Sequence, residues 1–135
     1  MIISFAWTTG ALLAGEKTVT RRAWDDAYAR RWVAGSVHEA YDRSPRAGGR
    51  RVGRIRLTRT AYKERLADMP DDHFRREGGT RYWPSKAAFV VMMGGPEVEV
   101  WVIEFKLLAV DPPALPADGQ QKFEFGIGEK NNGRR

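Results

Sequence analysis

Residues 98–108, Val-Glu-Val-Trp-Val-Ile-Glu-Phe-Lys-Leu-Leu, narrow the fold more than any other stretch of this chain. They begin by alternating, with Val98, Val100 and Val102 on one side and Glu99, Trp101 and Ile103 on the other, which is the two-residue period of a strand. Gly94-Gly95-Pro96 stands just before them and breaks whatever precedes. Residues 98–108 make the clearest strand in the sequence.

Upstream, the candidates are short. Ile2 to Phe5 is β-prone and leads into a short helix over Thr8 to Gly15, capped by threonine and ended by glycine. Lys17 to Arg22 favours an extended backbone, Val37 to Tyr41 reads as a strand, and Arg51 to Thr60 reads as a longer one that alternates basic and apolar residues. Ser44 to Gly49 is a loop, so the last two strands form a hairpin. Asp25 to Trp32 has helical spacing of Trp24, Tyr28 and Trp32, which points to packing on the core. Asp68, Pro70 and the acids after it predict a helix through Glu77, closed by Gly78-Gly79. Ser85 predicts the N-cap of another helix that ends near Met93. Five or so short strands among three short helices lack the regular alternation of a parallel α/β sheet and predict an α+β barrel with helices at its ends.

The domain spans residues 1–110, and residues 111–135 read as an extended, loosely attached tail with a weak Phe123-Glu124-Phe125 pattern. The net charge is +6, and because residues 111–135 hold four acids and four bases, the excess lies in residues 1–110. Between Arg43 and Lys63 there are eight basic side chains and no acid. Arg43, Arg46, Arg50 and Arg51 are the candidate contacts to a nucleic acid, although Arg54 and Arg56 would equally make the solvated face of a strand. No apolar run is long enough to span a bilayer, and no secretory signal pattern opens the sequence, so a cytoplasmic protein without a membrane partner is expected.

The absence of cysteine removes thiol nucleophiles and thiolate metal sites, and His38 and His73 alone leave little for zinc. No metal and no cofactor are expected. His38 reads as a surface or hydrogen-bonded residue, and His73 belongs to its helix with Glu77 four residues on. Gly-x-Lys-Thr-x-Thr at residues 15–20 is the remaining candidate for chemistry. A desolvated Lys17 can act as general base toward the hydroxyl of Thr20, and a carboxylate such as Glu77 can orient the amine while opposing its loss of a proton. In a regular strand Lys17 and Thr20 face opposite sides, so they meet only if a turn or bulge rotates one of them. The same six residues also describe a structural strand with an exposed lysine.

Ile2-Ile3-Ser4-Phe5, Leu13 to Arg22 and Trp101 to Leu108 together resemble the ASCH domain family of the PUA-like superfamily, over residues 1 to about 110. Within it the chain is similar to small bacterial N4-acetylcytidine amidohydrolases. The resemblance implies a small PUA-like curved β-barrel of five or six strands, with short helices around a cleft. It implies catalytic roles for Lys17, Thr20 and Glu77, with Arg22 contacting the substrate or an oxyanion. The expected partner is a modified cytidine nucleoside or RNA, with Trp7, Trp24, Tyr41 or Trp83 available to stack on the base. A non-catalytic RNA-binding module, or a weak ribonuclease, is the competing expectation. The chain is longer than the minimal amidohydrolases through Trp24–Trp32, Ser44–Arg51 and the residues beyond Val110.

Overall fold

A computed structural model describes residues 1–113 of the 135-residue chain. Apart from Asp111, Pro112 and Pro113, the expected tail lies outside the described residues. Six strands, β1 (Ile2–Ser4), β2 (Val19–Arg22), β3 (Val37–Tyr41), β4 (Arg51–Leu57), β5 (Tyr62–Arg65) and β6 (Glu99–Val110), form one curled half-barrel sheet. Four short helices accompany them: α1 (Thr9–Leu13), α2 (Asp26–Ala29), α3 (Asp71–Glu77) and α4 (Lys86–Met92). The fold is α+β and consistent with a small PUA-like curved barrel. Among the described residues, no helix is long and apolar enough to cross a membrane.

The long strand organises everything else. Its first half pairs antiparallel with β2, Thr20 opposite Ile103, and with β5, Tyr62 opposite Val102. Its second half pairs antiparallel with β4, which pairs with β3, which pairs in parallel with β1. The order is therefore β1-β3-β4-β6-β2, with β1 and β2 at its ends and β5 off this path on β6. Because β6 serves both halves, Val100, Trp101, Val102 and Ile103 are all buried, and the alternation read from the sequence does not mark one wet face. Gly53 is required where β4 crosses β6 next to a register shift, since a Cβ there would stand 2.3 Å from the Ala109 carbonyl oxygen.

Several local expectations change. The expected strand over Arg51 to Thr60 ends at Leu57, and Tyr62–Arg65, not foreseen, forms a separate strand on the same long partner. The helix over Asp25 to Trp32 shrinks to one turn, held at its start by Asp25 Oδ1 accepting from the Tyr28 N–H. Neither threonine caps α1: Thr8 donates back to the Phe5 carbonyl and Thr9 to that of Ala6. Asp68 does not cap α3 but pairs with Arg65, and Pro70 stands at the cap position. Ser85 does cap α4, through the Ala88 N–H.

The apolar interior has two parts. Ile3, Phe5, Leu12, Trp32, Ile55, Leu57, Ile103 and Phe105 fill the curl of the sheet, while Leu66, Met69, Trp83, Phe89 and Val100 lie under α3 and α4. Each large side chain of this kind contributes about 1.5–3 kcal/mol by leaving water. His38 is buried in the first part, its ring stacked on Trp32 at 3.8 Å and its Nε2 bonded to the Ser36 hydroxyl. Burial pushes the His38 imidazolium down to about 4 from an ordinary 6.5. The unfolded chain therefore takes up this proton first, and stability should fall by up to about 3 kcal/mol between pH 6.5 and 4, with no further loss from this group below. Urea denaturation across that range should lose this slope in His38→Gln, and parallel losses in both proteins would assign it to another group.

Candidate active site

Lys17 is positioned by the end of α1. Gly15, with φ of 76°, lets the Gly15 N–H reach the Leu12 carbonyl and the Glu16 N–H reach that of Ala11, which ends the helix and turns the chain toward β2. The Lys17 N–H also reaches the Ala11 carbonyl, so Lys17 sits in the turn, two residues before the strand begins. This resolves the facing problem posed by the sequence: Lys17 is not bound by strand alternation, and it lines the same cleft as Thr20. Glu77 arrives on the last turn of α3, which is tied to the same segment by the Thr18 N–H and the Arg76 carbonyl. Gly78, with φ of 128° and the Tyr82 ring where a Cβ would stand, takes the backbone away and leaves Glu77 facing inward.

The ionic contacts are short and buried. Lys17 Nζ donates to Glu77 Oε1 at 2.8 Å and to the Glu77 carbonyl at 2.9 Å, with both residues 2% exposed. Arg21 Nη1 donates to Glu77 Oε2 at 3.1 Å, and Arg21 Nη2 lies 2.8 Å from both Glu64 Oε1 and His73 Nδ1. On the other parity of β2, Arg22 Nε donates to Thr20 Oγ1 at 3.2 Å, and Arg22 Nη2 donates to the Ser4 carbonyl at 2.8 Å. Arg22 thus bridges β1 and β2, which lie at opposite ends of the strand order. Burial holds the Lys17 ammonium below the ordinary lysine range, against the pull of Glu77 in the other direction and with help from the positive charges of Arg22 and Arg21. No hydrogen bond joins Lys17 to Thr20 directly among the described residues.

The cleft these groups share has a volume of about 270 Å³ and sits at the seam between the sheet edges, where the two apolar clusters meet. Ser4, Phe5, Trp7 and Thr8 form one wall, Lys17, Thr20, Arg21, Arg22 and Glu77 the floor, and Trp83, Phe89, Met92 and Met93 the other wall. Trp7 is 59% exposed at the mouth and meets Trp83 and Tyr82 edge to face. The volume lies near the small end of ligand pockets, which run from about 300 Å³ upward, and suits one ring with a short substituent. Two other cavities, of about 480 and 500 Å³, are larger, but neither is lined by a buried ionisable group. Among the described residues no cluster of three or more His, Asp or Glu is gathered as a metal site would need.

Of the residues expected from the sequence, Lys17, Thr20, Glu77, Arg22, Trp7 and Trp83 converge here. Trp24 and Tyr41 do not. Trp24 packs on Tyr28 and Trp32 against the core, as its spacing allowed, and Tyr41 lies at the end of β3 beside Ser4 of β1. The arginine group also divides. Arg51 is held by Asp111 at 2.7 Å and faces Glu39 at 3.7 Å, which also ties the first residue beyond the domain to the sheet. Arg43, Arg46 and Arg50 are exposed on the β3–β4 loop, without a carboxylate salt bridge among the described residues. That loop follows Tyr41, and so leaves the sheet at the end where Phe5 enters the cleft wall.

Arg21 and Glu64 were not foreseen. The available signal for Arg21 was its place on β2 between Thr20 and Arg22: where those two share one side of the strand, Arg21 takes the other, toward α3. Glu64 lies on the strand that the sequence reading missed.

No protein-family model matches this chain, and no curated protein matches it. A solved structure does: the crystal structure of protein EF3133 from Enterococcus faecalis V583, described under the family model DUF984, aligns with 78% of this chain and 69% of that one at a TM-score of 0.53. The identity is 14%, so the likeness is one of fold.

Proposed function

We propose that this chain is an ASCH-type amidohydrolase that removes the acyl group from N4-acylated cytidine or cytosine. The observation that carries the reading is the buried Lys17–Glu77 pair in one cleft with Thr20, whose hydroxyl oxygen accepts from Arg22. A guanidinium bonded to that oxygen leaves the hydroxyl proton free to be removed and stabilises the alkoxide that results. Lys17, desolvated and in its neutral form, takes the proton. Thr20 Oγ then bonds to the acyl carbon, the bond to the exocyclic nitrogen breaks, and the cytosine amine leaves with the proton from Lys17. Water attacks the resulting ester, releases the carboxylic acid and restores the Thr20 hydroxyl. Trp7, exposed at the mouth, offers a face to the ring.

The test is conversion of N4-acetylcytidine to cytidine, followed by ultraviolet absorbance, with a panel of N4-acylcytosines and short acetylated RNAs. The purified chain is expected to turn over at least one of them, and no turnover of any would end this reading.

A second reading, RNA binding without catalysis, is favoured by Arg43, Arg46 and Arg50 standing exposed at the cleft end of the sheet. Salt separates the two. Three arginine–phosphate contacts on a single strand predict that log K falls with a slope of about −2 against log salt. Hydrolysis of the uncharged nucleoside should change by less than about twofold between 50 and 500 mM salt, because no phosphate contact is lost. Steep salt dependence of binding together with no turnover would select the binding module.

A further inference from the structure

Both oxygens of Glu77 are taken, one by Lys17 at 2.8 Å and the other by Arg21 at 3.1 Å. The Arg21 side chain is fully buried, and its second nitrogen is fixed between Glu64 and His73 at 2.8 Å each. Since an arginine nitrogen always donates, His73 Nδ1 accepts, and the ring is neutral with its proton on Nε2, which lies 4.0 Å from Glu104. Such a fork is more than a lysine's counter-ion needs.

The charge balance shows what it does. With Lys17 protonated, the cluster of Lys17, Arg21, Arg22, Glu64 and Glu77 carries three positive and two negative charges; with Lys17 neutral, it carries two of each. A lysine that has lost its proton leaves its carboxylate partner buried, and a buried carboxylate without a cation is strongly disfavoured. We propose that Arg21 is a positioning residue of this site, whose guanidinium remains on the second oxygen of Glu77 and so keeps that carboxylate compensated while the Lys17 amine is without its proton. Arginine suits the task because it stays charged throughout and its planar fork spans two acceptors at once. This rests on the amidohydrolase reading for what the free amine does next, but not for the clamp itself. The charged groups acting on Lys17 are Glu77 from α3 and Arg21 and Arg22 from β2.

The test follows the Lys17 amine in the full chain, without substrate, by ¹⁵N-lysine NMR, its signal assigned by its loss in Lys17→Met. In Arg21→Gln the titration midpoint of Lys17 should rise by about one pH unit or more, because a compensating charge within reach of the pair is gone. In Arg21→Lys, which keeps the charge, it should stay within about half a unit of the unaltered protein. The rising limb of kcat/KM against pH for N4-acetylcytidine should move with the amine, with rate recovered at high pH; a merely structural role would lower the rate at every pH alike. An unmoved Lys17 in Arg21→Gln, or the same rise in Arg21→Lys, would overturn the proposal. If Arg21→Gln does not fold, Arg21→Lys and Glu64→Gln decide. Both keep a cation on Glu77, so a rise of a full unit in either overturns the proposal and unchanged midpoints support it. Hydrolysis with an unmoved amine would remove the role of Arg21 alone, whereas a moved amine in a chain that hydrolyses nothing would remove only the enzyme reading.

Discussion

Thr20→Ala is expected to reduce the turnover of N4-acetylcytidine by at least about a thousandfold, since the proposed mechanism makes the residue removed the group that bonds to the acyl carbon. Thr20→Ser should retain measurable turnover because it keeps the hydroxyl. The structural cost is limited: the Thr20 side chain makes one hydrogen bond, from Arg22 Nε, and leaving that donor unmet costs about 1–3 kcal/mol. A thermal melt should therefore show Thr20→Ala folded at assay temperature. Lys17→Met should lose about as much activity, and the double variant should be little worse than either alone, because a base and its nucleophile act as one unit. Steady-state kinetics on the four proteins check this. Wild-type rates in Thr20→Ala would exclude the acyl-threonine route, and additive losses would mean that Lys17 serves the reaction in some other way.

Glu77→Ala is expected to destabilise the fold by about 3–5 kcal/mol, because it strips the carboxylate from between two buried cations. Lys17 would keep only the backbone carbonyl at residue 77, and Arg21 would keep Glu64 and His73. The loss of activity in this variant is thus not a clean report on catalysis, in contrast with Thr20→Ala. Pairing Glu77→Gln with Lys17→Met removes the carboxylate and one cation together, and this double variant should be more stable than Glu77→Ala. Urea denaturation of the three proteins measures the difference. A Glu77→Ala midpoint close to wild type would mean that water reaches Lys17 and Arg21 and that the pair is not sealed as the geometry has it.

The candidate site was partly legible before any coordinates. Glycine in Gly15-Glu16-Lys17 announces a turn, and a turn is what frees Lys17 from strand parity. Glu77 was legible as the end of a short helix closed by Gly78. Arg22 was legible only as a residue type: its bonds to Thr20 and to Ser4 of the opposite edge depend on how far the sheet curls. Trp24 and Tyr41 were the misplaced candidates, because an aromatic residue next to a motif in sequence packs wherever the apolar interior lies nearest. For Trp24 that place is Trp32. Arg51 looked like one more free base in an acid-poor run, but its acids come from Glu39 on the neighbouring strand and from Asp111, sixty positions away.

Local chemistry along the chain was enough to mark β1, β3, the body of β4 and β6, the turn at Gly15 and the Ser85 cap, since alternation, a left-handed glycine and a capping hydroxyl act within a few residues of themselves, but it missed β5 and misassigned the caps of α1 and α3. It was also enough to specify which residue types are available for the proposed reaction. Tertiary structure alone decided which of them share a cleft, that Val100 to Ile103 of β6 are buried on both sides, and that Arg21 rather than solvent compensates the far oxygen of Glu77. These depend on β2 and α3, which are far apart in the chain, being brought together by a common long strand and a common core, and contacts at that separation leave no period in the sequence.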